Sequence, residues 1–309
     1  MSKKVWRGRL IIYLLICLDV AWGNLPLNSS QRNSSILALS NNETLFVSSS
    51  VGRDLHNGLE KKFAVCITGQ VRTFARTLFN LYDNLFSVIG DFDVYMYIQS
   101  RGTSVEPKVG DSEYCKSLFN RTLKFHAMSA YMHCLVEQEK DIAFNETILR
   151  NFYYPDFLKQ QGFLKQLYGL KRCHSMIAKY TADTGVSYEW IIRLRPDNIF
   201  FQPFPAAELF KQQITKNVIF FSDPSVKCCG NQDIFNVGRT EDMHIFMNRF
   251  DALFDGSFQI PENRWSAENF ALDYSKSRGI DMRVLPGLHL HVLRFSDGER
   301  NYTEHMSMP

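Results

Sequence analysis

The sequence has no C-x-x-C pair, no Lys or Arg run longer than two, no G-x-G-x-x-G or Walker loop, and no internal repeat. Each absence removes a class. Without paired cysteines at metal-ligand spacing, a cysteine zinc site has no support. With 35 Lys and Arg against 32 Asp and Glu, the net charge is only +3, and nucleic acid finds no electrostatic footprint. Only one apolar stretch is long enough to concern a membrane, and it lies at the N-terminus, which excludes a polytopic membrane protein. What remains is a globular composition, 45% hydrophobic and 22% charged over 309 residues, rich in Phe (25) and Tyr (13). That length and content imply one large domain or two small ones with a substantial core.

Lys3, Lys4, Arg7 and Arg9 precede the apolar run Leu10–Trp22, which Asp19 interrupts. As a helix the run spans roughly 20 Å, short of the ~30 Å hydrocarbon core. Ala21 and Gly23 supply small residues for a cut before Asn24. Residues 1–23 are therefore a cleaved signal peptide or a signal anchor of type II orientation. Either puts the rest of the chain in the secretory lumen, ER or Golgi, or outside the cell, with membrane contact only through this segment if it is kept. Six sequons agree, at Asn28, Asn33, Asn42, Asn120, Asn145 and Asn301. Six cysteines remain beyond Cys17: Cys66, Cys115, Cys134, Cys173, Cys228 and Cys229. They allow three disulfides in an oxidising compartment. Cys115 with Cys134 is the favoured pair because both lie in an irregular middle region.

Residues 24–60 hold eight Ser and six Asn with almost no apolar periodicity, the composition of a glycosylated stem or linker. Order begins at Lys61-Lys62. Phe63–Thr68 is a continuous apolar run of strand length, as in a strand covered on both faces. Apolar residues then recur at helical spacing from Phe74 to Ile89, and Phe92–Ile98 reads as a second strand. Strand, helix, strand within 40 residues is a βαβ unit. Residues 101–155 read as loops or an insertion. A long amphipathic helix follows from Phe157 to Tyr180, then strands at Tyr188–Leu194, Val218–Ser222 and Ile234–Val237. A helix is expected from Glu241 to about Leu253, another from Ser266 to Gly279, and one or two strands between Val284 and Leu293. The alternation predicts a single α/β domain over 61–309 with a mostly parallel central sheet flanked by helices.

The chemistry gathers at strand ends. In Ile191-Ile-Arg-Leu-Arg-Pro-Asp197, alternation sets Trp190, Ile192 and Leu194 on one face and Arg193, Arg195 and Asp197 on the other. Ionised groups ending an apolar strand need partners. Two guanidinium forks suit a diphosphate, and a carboxylate suits a hard divalent cation; an internal ion pair that orders the strand end explains the same residues. Thr68-Gly-Gln-Val-Arg72 closes the first strand and opens a helix, where Gly69 permits close backbone approach; a plain βα turn is the alternative. Asn231, Gln232 and Asp233 line a pocket or make a turn. Glu268 stands in the first turn of its helix, a stabilising place for a carboxylate without any catalysis. His289 and His291 alternate on one face of a late strand, as metal ligands or as ordinary strand histidines.

Four segments in order carry a resemblance: Ala64-Val-Cys-Ile-Thr-Gly-Gln-Val-Arg-Thr-Phe74, Ile191–Asp197, Gln232-Asp-Ile-Phe-Asn-Val-Gly238, and Glu268 ahead of Gly279-Ile280. Across roughly 63–292 the chain resembles glycosyltransferase-like proteins of GT-A type, including WavE-type lipopolysaccharide and capsule-synthesis proteins and their eukaryotic relatives. The resemblance implies a nucleotide-diphospho-sugar transferase fold and transfer of a sugar from a nucleotide-sugar donor to a glycan, lipid or protein. It implies that Thr68, Gly69, Gln70 and Arg72 hold the nucleotide. Arg193, Arg195 and Asp197 then stand where such folds carry D-x-D, with Asp197 left for Mn²⁺ or Mg²⁺. An arginine replaces the first carboxylate, so guanidinium takes over part of the metal's role. Asp233 or Glu268 is then the base of an inverting reaction; a retaining one needs none. Two competing readings are a Golgi sulfotransferase and a non-catalytic, glycan-binding module of the same fold.

Overall fold

The computed structural model describes residues 60–71, 73–101, 114, 117, 131–143, 157–212, 216–223, 233–258 and 267–293, all within one compact unit, Asn42–Pro309. The N-terminal apolar run, the Ser/Asn-rich segment, all six sequons, and Arg72, Cys115, Cys228, Cys229, Asn231 and Gln232 lie outside the described residues. No described helix is long and apolar enough to cross a membrane.

The elements in chain order are strand β1 (Glu60–Gly69), helix α1 (Phe74–Leu81, continuing through a wider π turn at Tyr82–Phe86 to Ile89), β2 (Phe92–Ser100), β3 (Met132–Gln138), α2 (Phe157–Thr184), β4 (Ser187–Leu194), β5 (Asn198–Phe200), α3 (Ala206–Lys211), β6 (Val218–Phe221), β7 (Phe235–Arg239), α4 (Thr240–Met247), α5 (Arg249–Ala252), α6 (Ala267–Ser277), β8 (Asp281–Val284) and β9 (Leu290–Val292). Seven strands form one sheet in the order β3-β2-β1-β4-β7-β6-β8, and β5 pairs with β9 in a separate ribbon. Within the described seven-stranded sheet only β7 runs against its neighbours. The fold is therefore α/β with a mostly parallel sheet.

The apolar runs are continuous because both faces are covered. Phe63, Val65 and Ile67 of β1 join Val94, Met96, Trp190, Ile192 and the α1 residues Phe74, Leu78, Leu81 and Leu85 in one core. Ala64, Cys66, Tyr95, Tyr97 and Ile191 face the other way, against α2, α4 and α6. Cys66 of β1 and Cys173 of α2 are joined by a disulfide, with 6.1 Å between Cα atoms. Cys134 forms another, whose second half lies outside the described residues.

Two segments differ from the sequence expectation. The stretch 101–155 contains β3, a parallel edge strand pairing Val94–Ser100 with Met132–Gln138. Its Leu135 and Val136 are buried, but they are flanked by His133, Glu137 and Gln138, so the run is too short and polar to stand out. The helix expected from Glu241 to Leu253 breaks at Asn248 into α4 and α5.

Candidate functional site

Strand order reverses between β1 and β4. From β1 the chain passes through α1 on one face to β2; β3 returns through α2 on the opposite face to β4, on the other side of β1. A crevice at the carboxyl ends of strands beside such a switch point is where open α/β sheets bind ligands. Here those ends carry Thr68-Gly-Gln70 and Arg195-Pro-Asp197.

The two ends touch. Gly69 has φ +140°, and a Cβ there would stand 3.0 Å from Cδ of Pro196. Thr77 in α1 donates its hydroxyl to the Pro196 carbonyl at 2.6 Å. One turn on, Asn80 accepts from the Phe200 N–H at 2.7 Å and donates to the Phe200 carbonyl at 2.9 Å. Helix α1 is thus clamped to the segment after β4. The turn itself is closed by Asn198, whose Oδ1 accepts from the Arg195 N–H at 2.7 Å. Thr68 is buried, and among the described residues its hydroxyl finds no partner.

Arg195 grips Asp197 with both arms of its fork, Nε to Oδ1 at 2.8 Å and Nη2 to Oδ2 at 2.7 Å. The pair is partly open to solvent, with side-chain exposures of 34% and 16%. Each carboxylate oxygen of Asp197 thus accepts one bond from the fork. Among the described residues no three His, Cys, Asp or Glu side chains converge on a metal position.

Arg193 does not join that fork. It is fully buried and donates from Nη1 to the Asp233 carbonyl. A second fully buried arginine, Arg249 of α5, donates to Asp233 Oδ1 at 3.2 Å and to the Phe246 carbonyl at 2.9 Å, with its guanidinium 3.9 Å from the Phe246 ring. Gln166 of α2 donates to Asp233 Oδ2. Burial pushes both guanidinium groups below the ordinary arginine range, and Asp233 opposes the shift in each. Asp233 Oδ1 lies 4.0 Å from Arg193 Nη2 and 3.2 Å from Arg249 Nη2, so two cations share one carboxylate, and among the described residues Nε and Nη2 of Arg193 and Nε of Arg249 find no hydrogen-bond partner.

Glu268 sits half-buried in the first turn of α6. Its helix is seated through Phe270 against Phe163 of α2, ring centroids 5.7 Å apart. Among the described residues its carboxylate makes no hydrogen bond or ion pair. On β9, Leu290 and Val292 are buried; His291 between them and His289 just before the strand are half-buried, and the ring of His291 lies 6.4 Å from that of Phe201.

The structure therefore brings Gly69 against Pro196, between Arg195 and Asp197, and puts Arg193 with Asp233; among the described residues the Glu268 side chain bonds to neither group. Gln166, Thr77, Asn80 and Arg249 complete these clusters. No sequence signal singles them out, since each sits on a helix whose pattern reports only its apolar face.

No curated protein matches the chain. Among solved structures it is similar to core-mannan synthase A from Aspergillus fumigatus in its Mn/GDP form, with 11% identity, a TM-score of 0.43, and coverage of 86% of this chain and 82% of that one. It is similar also to the glycosyltransferase GlyE of Streptococcus pneumoniae, with 10% identity and a TM-score of 0.39, over 74% of this chain and 46% of that one. The model of a family described as a domain of unknown function, DUF7796, matches residues 59–253, well over half of the sequence, and the chain belongs to that family.

Proposed function

We propose that this protein is a glycosyltransferase of the secretory pathway lumen, transferring a sugar from a nucleotide-sugar donor to a glycan, lipid or protein acceptor, as the WavE-type resemblance implies. The observation that carries the reading is the contact of Gly69 with Pro196 at the switch point. It sets a glycine turn beside an arginine fork, and such a fork matches a phosphate as well as it matches a carboxylate. Asp197 then holds the fork in the geometry that the donor diphosphate takes. On binding, Arg195 exchanges Asp197 for phosphate oxygens and offsets the charge that develops as the C1–O bond of the donor breaks and the diphosphate leaves with the electron pair. The acceptor oxygen forms the new bond to C1. Glu268 is the better base for an inverting course, because among the described residues its carboxylate has no partner, whereas that of Asp233 is engaged by Arg249 and Gln166.

One observation favours a non-catalytic module instead, namely that the Arg195–Asp197 fork closes on itself. Thermal-shift measurement of the full chain against UDP, GDP, CMP and phosphoadenosine phosphate, each with and without Mn²⁺, separates the readings. A ligand at 100 times its Kd stabilises a fold by about 2.7 kcal/mol. Stabilisation by one nucleoside diphosphate or by CMP, indifferent to Mn²⁺ and lost in Arg195→Lys, is the expected outcome. A response to phosphoadenosine phosphate alone points to a sulfotransferase. Silence across the panel from folded protein overturns the enzyme reading.

A further inference from the structure

Helices α2 and α4 face each other through a pair of histidines that the site above does not use. Nε2 of His174 meets Nδ1 of His244 directly, with ring centroids 4.4 Å apart and planes at 77°. Both rings are half-buried, so an ion from solvent reaches them. The Asn248 side chain stands beside His174, and the Glu241 carboxylate, one turn before His244, acts on the His244 ring. Lys171, one turn before His174, has its charge engaged by Asp251 at 2.6 Å. Burial disfavours the charged form of both rings, and the neutral imidazole is the form that ligates metals.

We propose that His174 and His244 form a two-imidazole site for a borderline divalent cation, Zn²⁺ or Cu²⁺, with Asn248 and water completing the coordination. Imidazole nitrogen selects these ions, whereas Mg²⁺ and Mn²⁺ prefer oxygen. A metal about 2.0–2.1 Å from each nitrogen requires the two nitrogens to be roughly 3.3 Å apart, which a small rotation of the rings supplies. The N–H···N bond is exchanged for two nitrogen–metal bonds. The proton in that bond moves to the far nitrogen of its own ring, and nothing is oxidised or reduced. Among the described residues no third His, Cys, Asp or Glu joins the two imidazoles. The site's consequence is structural. Gln166 lies eight residues, about 12 Å, earlier on α2, and Arg249 follows α4 directly; both hold Asp233. An ion bridging the two helices fixes the elements that carry that cluster.

The full chain titrated with CuSO₄ and followed by electron paramagnetic resonance, together with its melting in ZnCl₂, tests the proposal without any nucleotide. Its outcome is therefore independent of the transferase reading. Expected are one tightly held Cu²⁺ with a two-nitrogen hyperfine pattern and a rise in melting temperature with Zn²⁺, both weakened at least tenfold in affinity in His174→Ala and in His244→Ala. Should an alanine variant fail to fold, His244→Gln keeps a polar side chain of similar reach and is read the same way. A copper signal and zinc response equal in the wild type and the variants, or absent from all, overturn the site.

Discussion

Asp233 holds two guanidinium groups on one carboxylate, and that imbalance makes its neighbourhood the most demanding part of the molecule. Removing the shared anion strands two buried cations, so Asp233→Ala costs about 3–5 kcal/mol or more. Arg249→Met leaves a one-to-one Arg193–Asp233 pair and keeps an unbranched chain against Phe246, so it costs less than half as much. Denaturant midpoints of the two variants decide the matter, and equal losses would mean that the surplus charge is offset elsewhere. His174 gives a residue-scale prediction about pH in metal-free protein. Burial, with His244 adding, pushes its pKa down to about 4. The unfolded chain therefore binds more protons than the native one between about 4 and the ordinary value of about 6.5. The sign follows: the stability is fully present above about 6.5 and falls as pH drops towards 4, by roughly 3 kcal/mol at most. The pH dependence of melting over that window flattens in His174→Gln. Sequence alternation was enough to put Arg193 opposite Trp190 and Ile192. It was not enough to show that Arg193 is fully enclosed, since its partner Asp233 comes from forty residues away and Arg249 from a helix with no polar signature.

Elements were legible where one periodicity ran long enough. The βαβ unit, α2 and β4 follow from runs of Phe63–Thr68, Phe157–Tyr180 and Tyr188–Leu194, because burial on a known face dictates the spacing. The edge strand β3 was not, since only one of its edges is paired and its apolar residues are few. Nor was the Cys66–Cys173 bridge, because six cysteines allow fifteen pairings and spacing does not choose among them. That bridge ties the central strand to its covering helix across a separation of 107 residues. Chain-entropy loss in the unfolded state makes it worth about 2–4 kcal/mol. The Cys66→Ala, Cys173→Ala double variant should lose that much stability in denaturant titration; an unchanged midpoint would show that packing of α2 alone holds the sheet. Gly69 acts at the same scale. Gly69→Ala drives a methyl against Pro196 at a backbone angle that side chains avoid. It should abolish nucleotide stabilisation, while the unfolding midpoint falls by only about 1–3 kcal/mol.

At the scale of the whole molecule, the two edges of the sheet do different work. The carboxyl edge carries Gly69, Gln70, Arg195 and Asp197 on turns, with polar groups left partly open. The amino edge carries a closed network. Tyr188 donates to Asp93 at 2.6 Å and meets the Tyr95 hydroxyl at 2.6 Å, and Asp93 accepts from the Tyr131 N–H at 2.9 Å. Burial raises the pKa of both tyrosines far above the usual phenol range, so neither ionises. A satisfied buried network rigidifies its surroundings without offering a ligand anything. Tyr188→Phe leaves Asp93 and Tyr95 each short of a partner and should cost about 1–3 kcal/mol, with nucleotide affinity unchanged. Hydrogen exchange gives the complementary test on the intact chain. With the stabilising nucleotide bound, protection should rise in the peptides covering Gly69–Thr77 and Arg195–Asn198 and stay level in those covering Asp91–Val94 and Ser187–Glu189. Protection spread evenly over both edges would mean that the ligand tightens the fold generally, and the assignment of the switch point as the binding crevice would then fail.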